Sequence, residues 1–105
     1  MADDDVLHIT TPAEWEAAWA TGQVIPPSLE AEGFVHCSTR AQLAGTLARH
    51  FRGAGPLRVL VLDPDRLGAE LRWEESRPGE VFPHLYGPLP VDAVVAVEDV
   101  TPPAG

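Results

Sequence analysis

The sequence predicts a single α+β domain on a small, mixed, largely antiparallel β-sheet with two helices. Three observations carry that prediction. The chain has 105 residues, room for one core of about residues 5–98. Helix signals fall early, from Thr11 to Gly22 and from Thr39 to Phe51, whereas most alternating segments come later. The eleven prolines stand between these segments and mark their limits.

Val6 to Thr10 alternates, with Leu7 and Ile9 on one side and His8 and Thr10 on the other, which predicts a first strand. Thr11-Pro12-Ala13-Glu14 has the form of a capping box: a threonine cap, proline in the first turn and glutamate to close it. Trp15, Ala18 and Trp19 form the apolar stripe of the helix that follows. Pro26 to Glu30 reads as a turn with room for one turn of helix. Gly33 to Ser38 is expected as one strand, with Phe34, His36 and Ser38 on one face and Val35 and Cys37 on the other. Thr39 caps the second helix with Gln42 three residues on, and Leu43, Leu47 and Phe51 supply its buried side.

Leu57 to Asp63 is the most apolar segment and the expected centre of the sheet. Asp63-Pro64-Asp65 turns the chain into a strand over Leu71 to Glu75. Phe82 to Pro88 holds too much proline for an interior strand, so a rigid loop is expected there. Val94 to Val100 closes the domain. Asp3 to Asp5 and Thr101 to Gly105 read as tails.

Composition excludes several functions. The formal charge is −9, with seven arginines and no lysine. A nucleic-acid or membrane-surface binder shows a basic patch, and none is present. Without lysine there is no Schiff base and no Walker-type phosphate loop. The single cysteine, Cys37, rules out an internal disulfide. The acidic start has no signal-peptide character and no apolar run is long enough to span a bilayer, so a cytoplasmic protein is expected.

The candidate site residues come from strand alternation. His8 and Thr10 share a face, as do His36 and Ser38, and neighbouring strands would point all four into one cleft. The alternative is that each histidine sits half-exposed on a solvated face. His84 and Tyr86 stand in the proline-fixed loop, either as part of a binding wall or as structural caps. Glu74 either pairs with Arg72 or turns toward the cleft to orient a hydroxyl or a histidine; Glu80 is a weaker candidate for that role. Cys37 reads as a core residue, because adjacent strand residues face opposite sides and it cannot pair with His36. His8, His36 and His84 lack a short metal-ligand spacing, so no metal is expected. His50, beside Arg49 and Arg52, suits the C-terminal dipole of its helix.

The run Gly33-Phe34-Val35-His36-Cys37-Ser38-Thr39, preceded by Ser28-Leu29-Glu30, resembles the bacterial and plant family called domain of unknown function 952. Leu7-His8-Ile9 followed by Trp15, and Phe82-Pro83-His84-Leu85-Tyr86-Gly87-Pro88-Leu89, share that resemblance. It implies an ADP-ribosyltransferase-like fold, a split β-sandwich that binds NAD between two sheets. His8 and Thr10 would then hold a ribose, and His36 and Ser38 would position the reacting centre, with Thr39 beside them. His84 and Tyr86 would wall the pocket, with Glu74 as the catalytic carboxylate. NAD would be a substrate rather than a resident cofactor, and a small molecule or nucleotide the partner. The alternatives are a non-catalytic module that binds a metabolite or nucleotide, and a protein-interaction domain.

Overall fold

The computed structural model describes residues 5–105. Strand β1 (Val6–Thr10) leads into helix α1 (Pro12–Thr21), and the junction is the expected capping box. Glu14 N–H donates to Thr11 Oγ1 at 3.0 Å, and Thr11 N–H donates back to Glu14 Oε1 at 3.3 Å. Gly22 ends α1 at φ +83°, a left-handed turn that glycine adopts without strain. A two-residue strand β2 (Gln23–Val24) precedes helix α2 (Pro27–Glu32), one more α-helix than the two expected. Its proline at the first position supplies helical φ where no N–H is needed. Along α1, Ala18 is buried and Trp15 packs on the core, but Trp19 is 63% exposed and does not belong to the buried stripe.

The segment 33–38 is not one strand. Strand β3 (Val35–His36) pairs with one sheet and strand β4 (Ser38–Thr39) with another, so the chain changes sheets at Cys37. Thr39 and Gln42 make the expected reciprocal bonds: Thr39 N–H to Gln42 Oε1 at 3.0 Å and Gln42 N–H to Thr39 Oγ1 at 3.2 Å. They close a turn, and helix α3 (Leu43–His50) starts only afterwards.

Strand β5 (Leu57–Leu62) is central, as its apolar run predicts, in an antiparallel sheet of order β4-β1-β5-β9. Strands β6 (Glu70–Arg77) and β7 (Glu80–Tyr86) form a hairpin turning at Pro78-Gly79, and with β3 they make a second sheet, β3-β7-β6. Strand β8 (Leu89–Pro90) pairs with β2, and β9 (Val94–Val100) closes the first sheet. Every strand pair among the described residues is antiparallel.

Strand β7 corrects the expectation of a loop over Phe82 to Pro88: it is the middle strand of its sheet. The Pro83 carbonyl accepts from Cys37 N–H at 3.1 Å, so the peptide groups of Pro83 face the β3 side. They do so at the point where β3 has ended, and the missing proline N–H interrupts no ladder bond there. The carboxyl end also differs from a free tail. Gly53 N–H donates to the Pro103 carbonyl at 2.8 Å, Arg52 Nη1 to that of Ala104 at 3.3 Å, and Pro102 is buried.

The first sheet is covered on both faces. Leu7, Ile9, Leu57, Val59 and Val61 pack with Leu47 of α3 on one side. Val6, Leu60 and Leu62 join Val35, Leu85 and Leu89 in the larger core on the other. All five residues of β1 are buried, so His8 and Thr10 occupy an interior face. No helix among the described residues is long and apolar enough to cross a membrane.

Candidate functional site

The change of sheets at Cys37 builds the site. It leaves His36 as the last residue of β3 and Ser38 as the first of β4, which pairs with β1. A cleft of about 860 Å³ opens there, bordered by residues of all three helices and of both larger sheets. His8, His36 and Ser38 all line it, although β1 and β3 are not neighbours in one sheet.

His8 is buried at 5% exposure, and its Nδ1 lies 2.7 Å from the His36 carbonyl oxygen. A carbonyl only accepts, so Nδ1 carries the proton and donates it. Burial is the main reason that the His8 pKa falls below its ordinary value, against smaller raising effects of that bond and of Glu14. The neutral ring therefore keeps its lone pair on Nε2, which has no protein partner among the described residues. This is the arrangement of a poised acceptor or base.

His36 is exposed, and its Nε2 donates to Glu32 Oε1 at 2.7 Å. The left-handed Gly33 at the end of α2 reverses the chain and brings the two together. Ser38 is buried, with its Oγ 3.3 Å from Thr46 Oγ1 on α3. Thr10 does not line the cleft itself; its hydroxyl donates to Glu14 Oε1 at 2.9 Å, and Glu14 does line it. Thr39 is occupied in the turn with Gln42 and lies outside the lining.

Glu74, His84 and Tyr86 form a second cluster outside the cleft lining. The β6–β7 register sets Arg72 opposite His84, Glu74 opposite Phe82 and Glu70 opposite Tyr86, all on one face. Glu74 Oε1 accepts from His84 Nδ1 at 2.9 Å and from the Tyr86 hydroxyl at 2.6 Å. Those bonds, Tyr86 first, hold the Glu74 carboxyl below its ordinary pKa, and the same carboxylate raises the Tyr86 phenol. Ser76 Oγ lies 3.1 Å from His84 Nε2. Arg72 pairs with Glu70 at 2.9 Å and covers the Tyr86 ring, so Glu74 orients a histidine and Arg72 has another partner. Glu80 pairs with Arg77 across the hairpin at 2.9 Å.

Phe34 joins the two groups. It lines the cleft, stacks on His84 at 4.1 Å and meets His36 edge-on at 4.8 Å. The His36 and His84 rings lie 5.5 Å apart. No group of three or more histidine, cysteine or acidic residues among those described is placed to hold a metal ion. Burial pushes the Cys37 thiol up to about 12, which makes it an inert core residue despite its place beside His36.

Sequence reasoning missed Glu14, Glu32, Arg49, His50 and Arg77, which also line the cleft. Glu14 and His50 have evident helix-end positions, which account for them in the sequence without reference to a cleft. The spacing of Glu32 and His36 across a glycine was the only sequence signal for that pair.

Two antiparallel sheets with a histidine-lined cleft against both define a class of small α+β protein built around a ligand-sized cavity. The chain belongs to the family DUF952, described as protein of unknown function, whose pattern matches residues 9–97. It is similar to the crystal structure of protein CC0527 from Caulobacter crescentus, with 41% identity and a TM-score of 0.83 over 90% of this chain and 84% of that one. The solution NMR structure of CC0527 is 40% identical, with a TM-score of 0.79 over 92% of this chain and 84% of that one. No curated protein matches the chain.

Proposed function

We propose that the cleft binds a nucleotide-type small molecule, with NAD as the leading ligand, and that the protein is a transferase acting at a ribose carbon. The observation that carries this reading is His8: neutral, fixed through Nδ1 to the His36 carbonyl, and left with a lone pair on Nε2. The arrangement of sheets supports the resemblance to ADP-ribosyltransferase-like folds, and the volume falls in the range of small-molecule sites. His8 Nε2 accepts a ribose hydroxyl, and Ser38 lies beside the reacting centre. Arg49 and Arg77 supply charge for the phosphates. Thr10 acts through Glu14, and His84 and Tyr86 support the Phe34 wall from behind.

In the transfer step the bond between the ribose carbon and the nicotinamide nitrogen breaks, and its electron pair leaves with nicotinamide. The acceptor's oxygen or nitrogen forms the new bond to that carbon. The acceptor's proton passes to the His36 imidazole, whose Nε2 is held by Glu32. Calorimetry with NAD and ADP-ribose, with chromatographic assay of nicotinamide, tests the reading. Saturable binding and nicotinamide release, both lost in a folded His36→Ala variant, are expected. No binding of either nucleotide to folded protein would sink it.

A second reading, a non-catalytic nucleotide or metabolite sensor, is favoured by the position of Glu74. The carboxylate expected to steer the transferred ribose is tied to His84 and Tyr86 and does not line the cleft. Tight NAD binding without nicotinamide release decides for the sensor.

A further inference from the structure

We infer that the carboxylate that engages the ligand in this cleft is Glu14, working beside His8, a role distinct from its place in the capping box of α1. The inference rests on the reading of the cleft as a ligand site and gives Glu14, which there only relays Thr10, a ligand contact of its own.

Glu14 lines the main cleft and also borders a smaller groove of about 250 Å³ beside Ala18, Val24 and Ile25. It therefore stands where the two cavities meet. Its Oε1 accepts from the Thr10 hydroxyl at 2.9 Å and from Thr11 N–H at 3.3 Å, which fixes the side chain. Oε2 makes no hydrogen bond among the described residues and keeps its acceptor capacity. Thr10 is buried, with its hydroxyl committed to Glu14, so the polar inner face of β1 serves the cleft through this carboxylate. Glu14 also bears electrostatically on His8. A carboxylate with one oxygen anchored and one open, lining the same cleft as an imidazole with an open lone pair, fits a ligand that presents two neighbouring hydroxyls. A ribose ring does so.

The structural role and the binding role separate cleanly. A capping box accepts glutamine in place of glutamate, since an amide oxygen still accepts from the backbone N–H. Glu14→Gln thus keeps the cap while removing the charge. Glu16→Gln, on the same helix and outside the cleft lining, is the matched control.

NAD and ADP-ribose are titrated calorimetrically into wild type and both variants. The His8 ring is followed by NMR between pH 5 and 8 without ligand. Glu14, Glu32, His36, Arg49, His50, Arg77 and the Cys37 thiol are the charged or titratable groups lining the cleft with His8. Glu14→Gln is expected to melt within a few degrees of wild type, bind ADP-ribose at least tenfold more weakly, and titrate His8 at lower pH. Glu16→Gln should change none of these. Undiminished affinity in Glu14→Gln overturns the inference while leaving the proposed function standing. If wild type binds neither nucleotide, the proposed function fails and the inference falls with it; if wild type binds, a His8 titration unmoved in Glu14→Gln overturns the pairing of the two groups.

Discussion

Gly87 follows β7, and a methyl group built on it would lie 2.7 Å from the Cβ of Ala69, which precedes β6. Carbon atoms meet favourably at about 3.5–4.0 Å, so Gly87→Ala demands roughly an ångström of separation. Neither methyl has a torsion that could swing it away. The adjacent register pair is Glu70 with Tyr86, so relief has to come from prising apart the end of the β6–β7 ladder. Overpacking of this kind costs about 1–3 kcal/mol. Near the middle of that range the melting temperature falls by roughly 8–10 °C for a domain of this size. Ala69→Gly alone removes a methyl packed on the core and loosens the unfolded chain, for about 1 kcal/mol. Independent effects would bring the double variant to about 3 kcal/mol, whereas relief of the clash leaves it near 1 kcal/mol, a coupling of about 2 kcal/mol. Urea denaturation of the four proteins measures it. Additive losses, or a Gly87→Ala variant as stable as wild type, would refute the steric argument.

Three further outcomes are expected. The folded pKa of His8 lies below its unfolded value, so its contribution to stability is full above about pH 6.5 and is lost as pH falls toward the folded pKa, with a slope of up to about 1.4 kcal/mol per pH unit. Urea midpoints between pH 8 and pH 5 should fall more steeply in wild type than in His8→Gln, and parallel curves would show that His8 is not the source. Cys37 should resist a disulfide-exchange reagent at pH 8 in the native state and react fully in denaturant, because its thiol is buried and its pKa is pushed up to about 12; a fast native reaction contradicts that. Arg40 donates to both Glu98 oxygens, at 2.7 and 3.0 Å, and to Asp5 at 3.1 Å, tying the start of β1 to β9. With the half-exposed Glu98 discounted for solvent screening, Arg40→Met should cost about 1 kcal/mol in urea denaturation, and an unchanged midpoint would make the clamp ornamental.

Local chemistry determined much of the fold from the sequence alone. The Thr11–Glu14 capping box, the stop at Gly22 and the apolar β5 each depend on a few neighbouring residues, so the sequence showed them without knowledge of the rest of the chain. The histidine candidates were equally legible, because alternation puts His8 and Thr10 on one face whatever the sheet. Tertiary structure decided the rest. Whether 33–38 is one strand or two depends on which partners its backbone groups find, and β7 and β1 lie far away in sequence. Pro83 can occupy a middle strand only because β3 ends where its missing N–H faces. Glu74 and Glu14 differ for the same reason. Both are glutamates next to periodic segments, but cross-strand register gives one to His84 and Tyr86, while the β1–α1 junction sets the other at the cleft. Alternation fixes the side of a strand on which a residue lies, and only long-range pairing fixes what that side meets.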